Sequence, residues 1–497
     1  MNIQQFLEHH GILSNPFADE DAQTDLVFKG SCIKSVYHPS WDKIYGDPAE
    51  PATSIVFGEK GSGKTALGLQ IVRHLSDYNI NHQEQRVFVV RYDDFNPFLD
   101  RFRDTYSGRR RQVQRVLGQW KLWDHIDAIL SLAVTQLVDR ALQVQQTRHP
   151  AAYDAGPWPL DSLDRAQARD VLLLAACYDQ STEENLRDRW NRLRRKLHVS
   201  TWAAGADFLL GVAVTLAVVA LIIGLKKWDL LRTAWPYLAI AAGWAPRGWR
   251  WLKWTWRAWR VRRNTRVLHH DQGTLRRALM RLGGKKLVGQ PIPDHPRTDD
   301  RYALLGKLQN VLRTLGFSGV VVLVDRADEP HLINGSAELM RALLWPLLDN
   351  KFLKHAGLGL KLLLPAELTA FVDREDRDFY ERARLDKQNL IRTLEWTGPS
   401  LYDLADARVR ACAAEGGSPS LGGMFEEAID TRRLQDALAS LRVPRNLFKF
   451  MYRLLTSHCN AHPEQSPSWK ISAATFESVL ALYQRDLVAA DRGLGAG

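Results

Sequence analysis

The stretch SIVFGEKGSGKTALGLQIVRHL (Ser54–Leu75) decides how this chain is read. Ser54 to Phe57 is a short apolar run of strand type. Gly58 to Thr65 fits the spacing Gly-x4-Gly-Lys-Thr, and Leu67, Ile71 and Leu75 then recur at i, i+4 and i+8, one face of a helix. Strand, glycine loop and helix in that order make a phosphate cradle. Gly58, Gly61 and Gly63 let the backbone curl until its N–H groups and the helix N-terminus point at phosphate oxygens, with Glu59, Lys60 and Ser62 completing the loop. Lys64 is expected to pair with β- and γ-phosphates, and the Thr65 hydroxyl to ligate Mg²⁺. The expected cofactors are ATP and Mg²⁺.

Such a site needs a second strand that ends in a carboxylate. FSGVVVLVDRADEPHLING (Phe317–Gly335) supplies one: Val320 to Val324 is apolar and mostly β-branched, and it closes on Asp325, expected to hold the metal through water. Arg326 stands where a carboxylate that orients the attacking water often follows. Asp328 and Glu329 are the available substitutes for catalysis; the alternative is that they only cap the next loop. Arg86 to Phe95 and Gly357 to Leu368 read as further strands, with helical patterns between. Strands alternating with helices argue an α/β fold with a parallel sheet covered on both faces. Ligand then sits at the carboxyl edge, where Gly58, Asp93 and Asp325 fall. Glu367, beyond the last strand, is a candidate γ-phosphate sensor.

The 497 residues exceed one compact core, and 45% hydrophobic with 25% charged residues is an ordinary globular composition. Cys32, Cys177, Cys412 and Cys459 are scattered without paired spacing, which excludes a disulfide framework or zinc site and points to a reducing compartment. The net charge of +11 is concentrated. Arg187 to Arg266 holds 17 Lys/Arg against three acids, a local +14, so the rest of the chain sums to −3. No basic start followed by an apolar run opens the sequence, so a chain beginning in the cytoplasm is expected.

About 260 residues separate Lys64 from Asp325. Within them Phe208 to Leu225 is uncharged, and 18 residues at 1.5 Å span about 27 Å, enough to cross a hydrocarbon core. Thr233 to Pro246 is a second, shorter uncharged segment, so a membrane hairpin with its turn at Lys226 to Arg232 is expected; a re-entrant or interfacial helix is the alternative. Arg192, Arg194, Arg195 and Lys196 before it, and the basic run after it, are heavier than Lys226, Lys227 and Arg232 in the turn. The flanks should therefore be cytoplasmic. RGWRWLKWTWRAWRVRR (Arg247–Arg263) sets five tryptophans among seven basic residues. As a helix it puts Arg250, Lys253, Arg257 and Arg260 on one face and Trp249, Leu252, Trp256 and Trp259 on another. That is a basic interfacial helix facing anionic headgroups, with nucleic acid as the alternative partner.

Arg101 to His198 reads as charged helices, a stalk or partner surface with solvated charges, broken by HPAAYDAGPWP at 149–159. After Trp396 the pattern is helical to the end, a lid over the nucleotide. Pro444 opens a helix that lets Arg445 reach toward the γ-phosphate.

With these motifs the chain resembles the KAP-type P-loop NTPases. The resemblance rests on Gly58-Glu-Lys-Gly-Ser-Gly-Lys64-Thr65, the inserted hairpin, and Asp325-x-x-Asp328 after an apolar strand. Pro444-Arg445 looks like the second sensor arginine of AAA+ and STAND ATPases. Arg326 departs from the family, which tends to carry a second acid there. The resemblance implies a P-loop NTPase sheet with an inserted transmembrane hairpin and a C-terminal helical lid. It implies a membrane-associated ATPase acting as a switch or assembly platform, homo-oligomeric or bound to a partner protein, some relatives being linked with signalling or phage defence. The organisation expected is the first half of the core over 1–100, a helical insertion over 101–200, the hairpin and Trp-rich helix over 201–265, the second half of the core over 266–395, and the lid over 396–497. The expected location is the inner (cytoplasmic) membrane, with the ATPase domain on the cytoplasmic side. A DNA-processing or initiator-like ATPase and a non-hydrolysing nucleotide-binding scaffold are the competing readings.

Overall fold

A computed structural model describes the chain except residues 145–157, 183, 201–204, 225, 227, 283–288 and 492–497. The Pro/Gly/Ala break at 149–157, Leu225 and Lys227 thus lie outside the described residues. Five strands, β1 (Ser54–Gly58), β2 (Arg86–Tyr92), β3 (Phe317–Val324), β4 (Leu358–Pro365) and β5 (Asn389–Ile391), form one parallel sheet in the order β2-β3-β4-β1-β5. The fold is α/β. The longer helices follow as α1 (Lys64–Asn81), α2 (Leu122–Leu142), α3 (Arg165–Tyr178), α4 (Leu186–Lys196), α5 (Ala206–Gly224), α6 (Trp235–Asn264), α7 (Gln272–Leu282), α8 (Thr298–Thr314), α9 (Gly398–Ala411), α10 (Pro444–Ala461) and α11 (Ala473–Asp491).

The chain folds as two compact units. The first comprises Met1–Tyr78, Leu323–Glu329 and Asp349–Gly497. In it β1 lies between β4 and β5, with Ser54 opposite both Lys361 and Asn389 and Val56 opposite both Leu363 and Ile391. β1 and β4 are buried along their whole length, so their apolar residues do not alternate with exposed ones; the polar members are Ser54 and Lys361, whose buried ammonium donates to Ile44 O, Tyr45 O and Ala52 O. Leu67, Ile71 and Leu75 of α1 are buried, as their spacing requires. β5 is only three residues long and carries no periodic signal, so it is invisible in the sequence.

The same unit contains the C-terminal helices. Their core takes in Leu401, Leu438, Leu447, Phe450 and Leu454, and also Phe6, Leu7, Ile12 and Phe17 from the start of the chain. The terminal amine donates to His462 O at 2.8 Å, and the His9 ring stacks on Trp469 with centroids 4.1 Å apart. The N-terminal segment is therefore a member of the C-terminal bundle. The four cysteines are free and buried.

The second unit comprises Asn79–Val322 and Pro330–Leu348. Its α2 corrects the expectation of a stalk with solvated charges: Asp124, His125 and Asp127 on this helix are all fully buried. Each meets a partner. The Arg301 guanidinium reaches both Asp127 oxygens at 3.1 Å, and Tyr178 OH donates to the same carboxylate at 2.8 Å. Arg266 pairs with Asp124 at 2.6 Å, and Arg189 bridges Asp139 at 2.6 Å and Asp179 at 3.0 Å. Ionised groups enter a core only in such pairs, because an unpaired buried charge costs several kcal/mol.

α5 and α6 lie against each other antiparallel. Gly211 meets the Trp244 ring and Gly243 meets Val214 so closely that a Cβ on either glycine would come within 2.8 Å of them. Trp244 Nε1 donates to Thr215 Oγ1 at 3.1 Å, and Arg250 pairs with Asp207. The remaining faces of the pair are apolar and exposed: 11% of the apolar window of α5 is buried, and Leu216 is 62% exposed. α6 is one helix of 30 residues with Pro246 inside it, so the second apolar segment and the Trp-rich stretch are continuous. Its buried stripe is neither of the faces drawn from the sequence. Trp254, Ala258 and Val261 are buried where α6 packs on α7, leaving Trp249, Leu252, Trp256 and Trp259 exposed with Arg260 over Trp256 and Arg263 over Trp259.

Candidate functional site

The glycine loop follows β1 directly. Gly61 and Gly63 take φ of +88° and +93°, which an L side chain rarely adopts, so the turn needs glycine at both. A Cβ at Gly58 would sit 2.5 Å from Ser62 Oγ. The loop thus closes on itself and delivers Lys64 and Thr65 to the first turn of α1. Lys64 Nζ donates to Gly58 O at 2.7 Å and Glu59 O at 2.9 Å, which leaves its third N–H for a ligand.

Thr65 Oγ1 donates to Asp325 Oδ2 at 3.0 Å across 260 residues of sequence. Both residues belong to the first unit. Asp325 is 6% exposed. Burial pushes its carboxyl up, opposed by the Thr65 hydroxyl, the Arg326 N–H and the charges of Arg326 and Lys64. Burial likewise lowers Lys64, opposed by Asp325, Asp328 and Glu367, with Arg445 adding to the lowering. The hydroxyl and carboxylate oxygens of Thr65 and Asp325 are hard ligands of the kind a small divalent cation takes.

A cavity of about 290 Å³ opens over this pair. Lys60, Gly61, Gly63, Lys64, Thr65, Asp325, Asp328, Glu329, Glu367 and Arg445 all line it. Of the residues expected at the site, Gly58, Glu59 and Ser62 do not line the cavity: Gly58 and Ser62 are buried in the loop and Glu59 is exposed. Asp93 stands beside Arg91, with which it pairs.

No protein-family model, curated protein or solved structure matches the chain.

Other features of the site come from backbone conformation and packing. Arg326 has φ of +58° and lines the cavity, with Nη1 3.6 Å from Glu329 Oε2. A non-glycine residue in this conformation immediately after Asp325 is strain of the sort that gathers at functional sites. Burial raises the Glu329 carboxyl and Arg326 opposes it, while Asp328, Asp325 and Asp21 raise it further. Trp396 Nε1 donates to Ser62 O at 2.8 Å, and Arg445 N donates to Gly61 O at 3.3 Å. Two carbonyls of the glycine loop are thereby held by the segment that leads into α9 and by the start of α10. Beyond the loop the cavity is walled by Phe28, Val36, Leu404 and Phe448. There Arg408 spans Asp25 at 2.6 Å and Pro16 O at 2.6 Å and lies over the Phe448 ring. Nothing in the spacing of residues 16–36 announces this wall, because it forms only when the N-terminal segment joins the C-terminal bundle.

Proposed function

We propose that the chain is a membrane-associated P-loop ATPase of KAP type. The observation that carries the reading is the Thr65–Asp325 contact at the foot of the glycine loop, with Lys64 beside it and an open cavity above. In this reading the loop N–H groups and the N-terminus of α1 receive the phosphates, and Lys64 exchanges its loop carbonyls for β- and γ-phosphate oxygens. Thr65 and Asp325 hold Mg²⁺, which supplies charge neutralisation to the phosphates when bound. Glu329, with Asp328 beside it, takes the proton of the attacking water, since a carboxyl raised toward neutral pH is the better base. Arg445, fastened to the loop at Gly61, faces the γ-phosphate from α10 and couples its presence to the C-terminal bundle. That coupling suits a switch or assembly platform.

The membrane part of the reading is supported by α5 and α6. A soluble core helix as apolar as α5 is buried, whereas this one shows most of its apolar window outward. The exposed tryptophans and arginines of α6 are then residues of the headgroup layer on the cytoplasmic side of the inner membrane.

The test is membrane fractionation combined with ATP binding and turnover in detergent or vesicles. Lys64→Ala should lose ATP binding, and Glu329→Gln should keep binding but lose turnover. Unchanged ATP affinity in Lys64→Ala would sink the site. Absence of turnover in the wild-type chain with binding intact would leave a nucleotide-binding scaffold, and recovery in the soluble fraction would overturn the membrane part.

A further inference from the structure

Arg326 has no role in the ATPase reading. β3 ends at Val324, directly before Asp325. Had the strand run on, Asp325 and Arg326 would point to opposite faces of the sheet, because side chains alternate along a strand. Arg326 instead turns left-handed at φ +58°, and its side chain lines the same cavity as Lys64, Thr65 and Asp325. Glycine adopts that conformation freely, whereas an L side chain resists it. The turn therefore sets a guanidinium at the site against the preference of its own backbone.

The donors of this guanidinium are not used up. Nη1 lies 3.6 Å from Glu329 Oε2, longer than a hydrogen bond, and Nε is buried with no hydrogen-bond partner among the described residues. Two other cations of the cavity are more fully engaged: Lys64 donates to Gly58 O and Glu59 O, and Arg408 to Asp25 and Pro16 O. A buried N–H without an acceptor costs free energy until one arrives. The planar fork of arginine matches the paired oxygens of a phosphate, and the glycine loop that would deliver one opens on the same cavity.

We propose, resting on the ATPase reading, that Arg326 is a catalytic arginine carried by the chain itself, its guanidinium pairing with the γ-phosphate and with the oxygen that joins it to the β-phosphate. As the water oxygen bonds to the γ-phosphorus, its proton passes to Glu329, and the bond to the bridging oxygen breaks with its electron pair leaving on ADP. The guanidinium neutralises the charge that builds on that oxygen. In turning to the phosphate it also leaves Glu329, which is then free to accept the proton.

The full chain purified in detergent is compared as wild type, Arg326→Gly and Arg326→Lys. Glycine keeps the turn at φ +58°, and lysine keeps the charge without the fork. Affinities for ATP, for ADP, and for ADP with aluminium fluoride, a mimic of the phosphoryl group in transfer, are measured by calorimetry beside steady-state turnover. The expected kcat is about a thousand-fold lower in Arg326→Gly and about a hundred-fold lower in Arg326→Lys, with ATP and ADP affinities within about three-fold of wild type. Affinity for ADP with aluminium fluoride should fall in parallel with kcat, and guanidinium chloride at a non-denaturing concentration should restore part of the turnover of Arg326→Gly. A merely structural role moves neither of these two readouts. Turnover within about three-fold of wild type in both variants overturns the assignment, and so does loss of ADP affinity in both. A wild-type chain that binds no ATP, or binds it without turnover, refutes the ATPase reading itself; wild-type turnover that the variants share refutes Arg326 alone.

Discussion

Gly61 and Gly63 have almost the same backbone conformation but different surroundings, so a methyl group at each separates two physical effects. Gly63→Ala places an L residue at φ +93° with only Trp396, 3.9 Å away, near the new Cβ. The cost is the left-handed conformation alone, about 1–2 kcal/mol. Gly61→Ala incurs the same conformational cost and also puts its Cβ 2.7 Å from Arg445 Cβ. Arg445 Cβ is fixed by the backbone of α10, so no side-chain rotation removes the clash; the start of the helix must move. Overpacking of this kind costs about 1–3 kcal/mol more. Gly61→Ala is therefore expected to cost about 2–5 kcal/mol in urea unfolding followed by circular dichroism. Combined with Arg445→Gly, which removes the opposing Cβ, it should show a favourable coupling of about 1 kcal/mol or more in a double-mutant cycle. Equal destabilisation by Gly61→Ala and Gly63→Ala, within about 0.5 kcal/mol, would refute the contact between the glycine loop and α10.

Two further outcomes follow from the second unit. Arg301→Met leaves Asp127 buried without its counter-ion and should cost about 3–5 kcal/mol by chemical unfolding, whereas Arg301→Met/Asp127→Leu should recover most of it; a single variant within about 1 kcal/mol of wild type would mean the pair is not buried. His125 and His270 are both lowered by burial to about 4. The unfolded chain takes up these protons below about pH 6.5 and the folded chain does not until about pH 4, so the stability they contribute is present above pH 6.5 and lost as pH falls toward 4. Asp124, pushed up to about 6 by burial, opposes them over part of that range. The unfolding midpoint should be lower at pH 5 than at pH 7, and His125→Gln should flatten the difference; a midpoint that does not change between the two would contradict the burial of these rings.

The glycine loop, the strand before it and the helix after it were legible in the sequence because each is local: the turn needs glycine at Gly61 and Gly63, and the helix repeats at three to four residues. Val320 to Val324 and Asp325 were legible for the same reason, as was the apolar length of α5. The tertiary structure alone decided that Phe6 to Phe17 completes the core around Leu447 and Phe450, and that the Trp396 ring and the Arg445 backbone hold the loop from outside. It also decided that Asp127 and Arg301 are buried partners rather than solvated charges, and that Trp254 is the buried tryptophan of the Trp-rich stretch. Those facts depend on pairing residues tens to hundreds of positions apart. Spacing along a chain reports the period of a helix or strand, but not which distant side chain will neutralise a charge or cover a ring.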